Sequence, residues 1–490
     1  MTRIGSLICA SVFSLLTACA VGPNYKRPTL TMSANFKEVG DWKPSQPNDA
    51  LARGPWWEIF NDEVLNQLES QIEVSNLNVK AAIASYEESV ALLRQARSAY
   101  WPTITVNGQR SRTVSGSSAA SNASSLGGFG GAGSVSGFGL TPGVPVTRNT
   151  LGASADWTVD VWGQVRRSAE SSRASAQASA ATLENAKLSA QAQLATAYFE
   201  LRAQDQLQTI LNDIVAAEQA SLKIAENRYR VGVAAKADVV TAQTQLLSSQ
   251  STQVNAQIQR ATLEHSVAVL VGQEPAAFSQ PPVPIRSDVP TVPAGVPSEL
   301  LQRRPDIAEA ERKAAAASAQ IGVAETAFFP SLTLTGSDQY SGGTISKLIR
   351  TANRVWAFGP QVALTLFDGG SRRAKVLAAR AEYDISVDNY RQTVLTAFQS
   401  VEDELVTLRI LEKQAAIEEE AVKAAREAET LTLNQYKAGT VPYSSVISAQ
   451  TARLNAEQTA LNVLRDRLTA SVALIQDLGG GWDASKLPKP

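Results

Sequence analysis

The sequence predicts an α+β fold made of two tandem structural repeats. Residues 227–232 (Asn-Arg-Tyr-Arg-Val-Gly) recur as residues 434–439 (Asn-Gln-Tyr-Lys-Ala-Gly), 207 positions later. Upstream, residues 101–108 return in similar form as residues 329–336. Each copy is therefore expected to contain a helix, a β-hairpin, a long helix, a tight turn and a second long helix. A period of this length exceeds that of solenoid repeats, which indicates two halves that complete one structure.

The N-terminus has the pattern of a bacterial targeting segment. Arg3 precedes a short apolar run, and residues 16–19 (Leu-Thr-Ala-Cys) are typical of a lipobox that is cleaved before Cys19 and lipidated on it. The alternative is an ordinary secretory signal with an incidental cysteine. Residue 20 is alanine rather than aspartate. By resemblance to other bacterial lipoproteins, this predicts the outer membrane.

The boundaries predicted from the repeats and the N-terminus divide the whole chain. In chain order they are a signal peptide at 1–18, a lipidated, Pro-rich tether at 19–61, repeat 1 at 62–272, a Pro-rich linker at 273–300, repeat 2 at 301–479 and a C-terminal tail at 480–490. Repeat 1 is expected to contain a helix at 62–100, a β-hairpin at 101–161 and a helical hairpin at 164–271. Repeat 2 is expected to contain a helix, a β-hairpin at 329–368 and a helical hairpin at 371–478.

Composition excludes several classes of protein. Lys+Arg is 45 against Asp+Glu 46, and no long basic run appears, which argues against nucleic acid as a partner. Removal of the signal would leave one cysteine, so no disulfide is expected. No later stretch has the roughly 18 to 20 continuous apolar residues of a membrane-spanning helix. If the chain crosses a membrane, it must therefore do so as β-strands.

The second strand of each predicted β-hairpin alternates between apolar and polar residues. The apolar positions are Leu151, Ala153, Ala155, Trp157, Val159 and Val161 in the first copy, and Trp356, Phe358, Pro360, Val362, Leu364 and Leu366 in the second. Strands of roughly 9 to 11 residues with one apolar face suit a tilted transmembrane strand. A soluble, half-buried sheet shows the same alternation, so both readings stay open. The Gly/Ser-rich segment 115–145 is expected to be an exposed loop of the first hairpin.

Two helices of unusual length are expected after the β-hairpins. Nothing interrupts the helical pattern from Gln164 to Arg230, which would give a helix on the order of 100 Å long. The return helices keep apolar residues seven positions apart, which is typical of coiled-coil packing. These residues are Val240, Leu247, Val254 and Ala261 in the first copy, and Ile447, Leu454, Leu461, Leu468 and Ile475 in the second.

Glycines mark the tips of both helical hairpins. Gly232 and Gly439 are expected to adopt the positive φ of a chain reversal at a helix end. Tyr229 and Tyr436, three residues earlier, are interpreted as hydrophobic clips for these turns. Asp238 is interpreted as a first-turn charge that favours the next helix N-terminus.

No catalytic constellation is present in the sequence. The single histidine, His265, lies in the middle of a helix, and the serines have no partner histidine or strand–turn–helix elbow. Cysteine and histidine spacing for a metal site is absent. We therefore expect no enzyme activity, no cofactor and no bound metal.

Several motifs in this order resemble the TolC-like outer-membrane efflux proteins, in their lipoprotein branch (OprM-like, NodT-type). The matching segments are residues 19–25 after the lipobox, residues 303–307 (Arg-Arg-Pro-Asp-Ile), residues 367–370 (Phe-Asp-Gly-Gly) and Tyr-x-x-Gly at both tips. Each motif is weak alone, but their order within a duplicated chain is specific. The resemblance covers residues 19 to about 479, nearly the whole mature chain.

The resemblance implies a homotrimer. Four strands per chain would give a twelve-stranded transmembrane β-barrel, continuous with a long antiparallel α-helical barrel in the periplasm. Four strands alone cannot close a barrel, because eight is the observed minimum. The resemblance further implies a lipid-anchored channel that receives small toxic compounds from an inner-membrane pump of the RND type through a periplasmic adaptor, as in multidrug resistance. The apolar strand residues, among them Trp157, Val159, Val161, Val362, Leu364 and Leu366, would face the outer-membrane lipid.

In this family the periplasmic end is closed by tip tyrosines and rings of carboxylates. Tyr436 matches the family's tip tyrosine, but Ser445 and Ser448 occupy the carboxylate positions that follow it. Asp238 stands opposite Ser445, in the first copy. We therefore expect the closed state to use packing together with Asp238 or the neighbouring arginines, Arg228 and Arg230.

A rival interpretation is a lipoprotein with coiled-coil hairpins that forms no channel, such as a periplasmic adaptor. It explains Cys19 and the seven-residue spacing. It does not explain two β-hairpins with matching apolar faces at the same place in each repeat. An enzyme of envelope maintenance fails because no site is found for it.

Overall fold

The computed structural model describes residues 20–29, 36–39, 55–114, 145–292 and 303–488. The predicted signal peptide, Cys19 and nearly all of the Gly/Ser-rich loop lie outside these ranges. The described residues form two compact units. The sheet unit takes its residues from Met1–Tyr25, Ala91–Ser172 and Ala316–Tyr383, and the helical unit takes them from Lys26–Val90, Arg173–Ala315 and Asp384–Pro490. Each unit therefore draws on both predicted repeats.

The main elements follow one another in the order that the sequence predicts. They are α1 (Glu63–Ser75), α2 (Leu77–Ser98), β1 (Thr103–Val114), β2 (Pro145–Val159), α3 (Gln164–Arg230), α4 (Lys236–Leu270), α5 (Pro305–Thr326), β3 (Ser331–Gly342), β4 (Arg354–Ala363), α6 (Ser371–Ala438) and α7 (Tyr443–Asp477). The unbroken helix predicted from Gln164 to Arg230 is confirmed. Short 3-10 turns at Ile345–Lys347 and Thr351–Asn353 connect β3 to β4.

Element lengths recur between the two copies. Helices α2 and α5 each have 22 residues, strands β1 and β3 each have 12, and helices α4 and α7 each have 35. Helices α3 and α6 have 67 and 68 residues. The α+β composition is confirmed. The positions at which repeat 1 and repeat 2 begin and end stay a prediction.

The prediction of one continuous helix from Asp62 to Tyr100 is wrong, because the helix breaks at Asn76. Asn76 has extended backbone angles (φ −62°, ψ 124°). Its side-chain oxygen accepts hydrogen bonds from the amides of Asn78 and Val79, at 2.9 and 3.1 Å. Its amide nitrogen donates to the Leu270 carbonyl at 2.7 Å, at the end of α4. Asparagine satisfies free amides at helix starts well, so this one side chain both begins α2 and ties it to α4.

The four strands form one antiparallel sheet in the order β1-β2-β3-β4. Directly paired residues lie on the same face of a sheet, so the register assigns each residue to a face. The apolar face carries Ile104, Val106, Leu151, Ala153, Ala155, Trp157, Val159, Leu332, Leu334, Tyr340, Trp356, Phe358 and Val362. Towards one end of the strands the same face also carries Arg110, Asn149 and the ion pair of Asp338 with Arg354. The opposite face carries Thr103, Thr105, Asn107, Gln109, Ser154, Asp156, Thr333, Thr335, Ser337, Gln339 and Gln361.

Both predicted strands end earlier than the alternation suggested. Strand β2 ends at Val159, before Val161, because the side chain of Asp160 accepts hydrogen bonds from the amides of Val165 and Arg166, at 3.0 and 2.9 Å. That side chain thereby caps the start of α3. Strand β4 ends at Ala363, the partner of the first residue of β3. Leu364 and Leu366 lie beyond it, where β3 offers no further backbone to pair with.

The core of the helical unit surrounds the middle of α3. Its buried members include Phe60, Leu65, Ile72, Leu194, Tyr198, Leu201, Val267, Val401, Leu405, Leu468, Leu474 and Ile475. Small residues of α3, such as Ala195, allow close approach of the neighbouring backbones. Part of the predicted linker packs on this core through Ile285 and Val292.

A buried ion-pair network holds the linker in place. The Asp205 carboxylate pairs with Arg202 at 3.0 Å and with Arg260 at 2.7 Å. The same carboxylate accepts the Val283 amide at 3.0 Å, while Arg202 donates to the Pro281 carbonyl at 2.8 Å. Buried charges are stable only when they are paired and hydrogen-bonded, and both carboxylate oxygens of Asp205 meet that condition here.

Within the described ranges, no helix combines the length and the apolar character that crossing a bilayer would need.

We predict that Asn76→Ala lowers the stability of the protein by about 2 kcal/mol, since the change removes a helix cap and leaves the Leu270 carbonyl without its donor. Urea unfolding followed by circular dichroism in detergent measures the effect. Asn78→Ala is the matched control, because Asn78 is exposed on the same helix. Equal unfolding midpoints for the two variants would contradict the capping role of Asn76.

Candidate functional site

The first candidate surface is the apolar face of the sheet. Its side chains are strongly exposed in the single chain: Ile104 is 70 % exposed, Val106 74 %, Trp356 70 %, Phe358 73 % and Val362 67 %. Contiguous exposed apolar patches of this kind mark contacts with a membrane or a partner. Among the described residues, nothing covers this face.

Three of the six predicted lipid-facing residues lie within the hydrogen-bonded strands of the sheet, and the other three follow the ends of those strands. Trp157 and Val159 pair with Leu334 and Leu332 on the apolar face, and Val362 pairs with Leu332. The Trp157 indole N–H donates to the Tyr100 carbonyl at 3.1 Å. Val161, Leu364 and Leu366 follow the strand ends, and Leu366 is 87 % exposed.

The sheet has two edge strands, β1 and β4. Each pairs on one side only within the described chain. β1 is 12 residues long and β4 is 10. Long exposed edges attract further strands, and most proteins cover or shorten them. These two edges are therefore available to strands of another chain.

The second candidate site is the tip of the two helical hairpins. Gly232 and Gly439 have φ of 78° and 80°. At the first tip, the amide of Gly232 donates to the Tyr229 carbonyl and the amide of Val233 to the Arg228 carbonyl, both at 2.9 Å. The second tip repeats this pattern, from Gly439 to Tyr436 and from Thr440 to Gln435. Both turns are thus Schellman motifs, which satisfy the last carbonyls of α3 and α6.

A buried aromatic pair fills the space beneath these turns. The rings of Tyr436 and Tyr443 are 5.2 Å apart and inclined by 59°. Around them lie the buried side chains of Ala225, Ala242 and Val446.

Arg228 closes this cluster on one side. Its guanidinium carbon lies 4.9 Å from the centre of the Tyr436 ring, and its Nη1 donates to the Lys437 carbonyl at 2.7 Å. Arg228 belongs to the first hairpin and Tyr436 to the second, so this contact joins the two tips. A cation over an aromatic ring contributes about 0.5 to 2 kcal/mol, more when water is excluded.

The electrostatics of the tip favour neutral phenols. Burial raises the pKa of Tyr436; the negative charge of Asp238 adds to this effect, whereas Arg228 opposes it. Burial, followed by the charge of Glu218, raises the pKa of Tyr443 to about 12. Neither tyrosine hydroxyl has a hydrogen-bond partner among the described residues.

The two tips differ, and the prediction that Tyr229 clips its turn is wrong. The Tyr229 side chain is 47 % exposed, whereas Tyr436 is 2 % exposed. The reason lies at the start of the following helix: α7 begins with Tyr443, but the equivalent first residue of α4 is the exposed Lys236. The first tip therefore lacks a second ring against which Tyr229 could pack.

Ser448 and Ser445, which stand where the resemblance predicts carboxylates, differ in exposure. Ser448 is exposed, and its hydroxyl donates to the Ser444 carbonyl one turn earlier, at 3.1 Å. Ser445 is half-buried. Asp238 is half-buried near the start of α4, where a negative charge interacts favourably with the helix N-terminus.

Sequence reasoning missed a buried polar layer behind the tip. Gln245 donates to Glu218 at 3.0 Å, and Gln450 donates to the Ser221 hydroxyl at 3.3 Å. Burial raises the pKa of Glu218, which is 1 % exposed. These groups lie one or more turns from the tip motif on three different helices, so no local pattern in the sequence could have assembled them.

A second missed group joins α6 to α7. Arg453 contacts Glu429 at 2.8 Å and Glu457 at 3.1 Å, and Arg426 also contacts Glu457, at 2.7 Å. Spacing indicates only the pair one turn apart, from Arg453 to Glu457. The remaining pairs depend on how α6 and α7 align.

Comparison with known proteins identifies the class. A family profile described as "Outer membrane efflux protein" matches residues 68–273 and 296–480, most of the chain. The chain therefore belongs to the outer membrane efflux protein family. It is an outer-membrane protein with a large periplasmic part.

Relatives and solved structures agree with this assignment. The antibiotic efflux pump outer membrane protein ArpC of Pseudomonas putida is 29 % identical over 470 residues, covering 96 % of this chain and 94 % of that protein. Nodulation protein T of Rhizobium leguminosarum bv. trifolii is 29 % identical over 482 residues, covering 96 % of each chain. The outer-membrane channel OprN superposes with a TM-score of 0.83 at 28 % identity, covering 95 % of this chain and 100 % of that one. The open state of the Neisseria gonorrhoeae MtrE channel gives 0.80 at 25 %, covering 95 % and 99 %.

We predict that Tyr436→Ala loosens the tip, because removing a buried ring costs about 3 to 5 kcal/mol. Hydrogen exchange followed by mass spectrometry should show at least a hundredfold faster exchange in peptides covering residues 430–446. Tyr436→Phe should leave exchange unchanged, since the hydroxyl it removes has no partner. Tyr229→Ala, at the exposed equivalent position, is the control, and an equal acceleration there would contradict the asymmetry of the tips.

Proposed function

We propose that the chain is the outer-membrane channel of a tripartite efflux system, a passive, gated conduit for small toxic compounds. The observation that carries this proposal is a sheet with one exposed apolar face and two unpaired edges. The inner-membrane pump would supply the energy, and a periplasmic adaptor would connect the two proteins. Membership of the outer membrane efflux protein family supports this assignment, as does the role of relatives such as the antibiotic efflux pump outer membrane protein ArpC.

The proposed assembly is a homotrimer. Four strands cannot close a barrel, whereas three copies would supply twelve, an even number within the observed range for outer-membrane barrels. Joining β1 of one copy to β4 of the next would pair both edges. The apolar face would then contact lipid, and the polar face would line a water-filled interior. This arrangement avoids exposing apolar side chains to water and polar side chains to lipid, both of which cost free energy.

Exposed apolar stripes on two helices support the same assembly. On α4, Val240, Leu247 and Val254 repeat every seven residues and are 51 %, 57 % and 62 % exposed. On α6 the same seven-residue spacing runs through positions 410, 417, 424 and 431. Ile410, Ile417 and Leu431 are 52 %, 68 % and 54 % exposed, and position 424 is an exposed alanine. Coiled-coil spacing without a partner in the chain implies a partner outside it. Two different stripes suit a head-to-tail contact, which closes into a ring when the rotation allows.

The proposed gate lies at the helical tips. Arg228 on Tyr436 joins the two hairpins, and Asp238 places a negative charge beside the same ring. With serines at positions 445 and 448, the closed state would depend on this packing rather than on a ring of carboxylates. Gly232 and Gly439 would allow the tight turns on which this arrangement rests.

Anchoring and chemistry complete the proposal. We propose that Cys19 carries the lipid anchor, palmitate included, after removal of the signal peptide. We also propose that the chain catalyses no reaction and needs no cofactor. Among the described residues, no group of three His, Cys, Asp or Glu side chains is placed to hold a metal ion.

We predict that Leu247→Glu prevents trimer formation, because it places a charge in the proposed helix seam. Sedimentation velocity in detergent should show the wild type as a trimer and this variant largely as a monomer. Thr252→Glu is the matched control, since Thr252 is exposed elsewhere on the same helix. A wild-type chain that remains monomeric and soluble without detergent would overturn the channel proposal.

We predict that Tyr436→Ala and Asp238→Ala each raise single-channel conductance in planar bilayers, because each removes a group that holds the tip closed. Tyr229→Ala should conduct like the wild type. Unchanged conductance in both Tyr436→Ala and Asp238→Ala channels would refute the gate while leaving the channel assignment intact.

A further inference from the structure

A cavity of about 440 Å³ lies in the helical unit, away from the tip. Its walls come from the segment before α1, from α1 and α3, and from the turn after α7. Its lining includes Trp56, Trp57, Glu69, Glu184, Lys187 and Trp482. This volume is within the ordinary range for sites that bind small molecules.

Two polar groups in the cavity wall are buried without partners. Glu69 has no exposed surface, and neither of its carboxyl oxygens has a hydrogen-bond partner among the described residues. The indole nitrogen of Trp482 is likewise buried and unpartnered, whereas that of Trp56 donates to Gln191 at 3.2 Å. A buried polar group without a partner costs about 1 to 3 kcal/mol, and more for a charge. Such a cost is retained where the group meets a ligand.

Burial raises the pKa of the Glu69 carboxyl to about 9. The other charged residues in the cavity lining are Glu73, on the same helix, and the pair Glu184 and Lys187 on α3. Neither the Trp56–Trp57 segment nor the turn at residues 479–482 contributes a charge to the lining. At neutral pH the Glu69 carboxyl is therefore protonated, and it is able both to donate and to accept a hydrogen bond.

We infer that this cavity binds a small organic ammonium ion with an aromatic or alkyl body, whose nitrogen is held by Glu69 and whose body packs against Trp56, Trp57 and Trp482. Aromatic faces attract organic cations through the ring quadrupole, and a carboxylate pairs with the ammonium charge. This site combines both features in one cleft.

The charges of the cavity wall distinguish among ligand classes. Three carboxyl groups line it against one lysine, and the Lys187 ammonium already pairs with Glu184 at 3.0 Å. An anion would therefore meet repulsion and no free cation. A purely apolar ligand would leave the Glu69 carboxyl unpartnered. A cation with a hydrogen-bond donor satisfies Glu69 and packs its body on the indole rings.

Binding of the cation has a defined proton balance. The ammonium ion enters with its proton, the Glu69 carboxyl loses its own proton to solvent, and an ion pair replaces the neutral acid. One proton is thus released for each ligand bound at pH 7. The raised pKa means that the free carboxyl holds its proton up to about pH 9, so affinity should rise with pH, by roughly tenfold per unit between pH 6.5 and 8.5.

The inference does not depend on the conduit role, because it concerns binding to the purified protein in detergent. The probe is phenethylamine, a protonated amine at neutral pH. Its matched controls are 2-phenylethanol, which is neutral, and phenylacetate, which is an anion. Calorimetric titration in two buffers of different ionisation enthalpy measures both affinity and protons released. We expect phenethylamine to bind at least tenfold more tightly than either control, with close to one proton released.

Variants test the assignment to this cavity. Glu69→Gln keeps the size of the side chain and should weaken phenethylamine binding at least tenfold and abolish proton release. Glu58→Gln, at an exposed residue next to Trp57, should bind like the wild type. If Glu69→Gln does not fold, Trp482→Phe, which removes only the indole contact, should weaken binding severalfold with proton release retained.

Three results would overturn the inference. They are no saturable binding of phenethylamine up to millimolar concentration, equal affinity for the amine and the alcohol, and unchanged affinity in both Glu69→Gln and Trp482→Phe. In the first case the cavity would hold water only. In the second it would be an apolar pocket without charge recognition.

Discussion

The strongest constraint on this structure is that a single chain leaves its β-sheet incomplete. Strands β1 and β4 have free edges, and the sheet exposes a largely apolar face. In water, each exposed square ångström of that face costs about 25 cal/mol relative to burial, and the free edges invite pairing. One arrangement answers both problems: closure with other copies inside a lipid bilayer. The proposed trimer follows from this constraint more than from any single residue.

The helical unit shows the same incompleteness in a different form. Leu461 of α7 is only 8 % exposed within its own chain, whereas its equivalent in α4, Val254, is 62 % exposed. The same seven-residue spacing of apolar side chains therefore leads to burial within the chain in α7 and to exposure in α4.

The two helical tips, where we propose the gate, also differ between the repeats. Both turns keep the glycine and the Schellman hydrogen bonds, so the backbone is the same at the two ends. The side chains are not: Tyr436 has Tyr443 beneath it and Arg228 above it, while Tyr229 faces solvent. A contact from one hairpin to the other is more useful for closure than two separate clips, because it couples the positions of both hairpins.

Two buried carboxyl groups of the helical unit differ in whether they have hydrogen-bond partners. Asp205 has a partner for each of its oxygens, and this pairing explains why it is tolerated in the core. Glu69 is just as buried but has none. The unsatisfied carboxyl beside three tryptophans is therefore better explained by a ligand than by packing.

The sequence alone determined the order of the elements, the long helices, the turns at Gly232 and Gly439 and the two faces of the sheet. These follow from local rules: the periods of helix and strand, and the backbone freedom of glycine. The resemblance in short motifs was enough to indicate the family. Tertiary structure decided the break at Asn76, the early strand ends, the burial of Tyr436 but not Tyr229, and the cavity around Glu69. Each of these depends on a partner distant in the chain, such as the Leu270 carbonyl or the ring of Tyr443, and a local pattern carries no information about such partners.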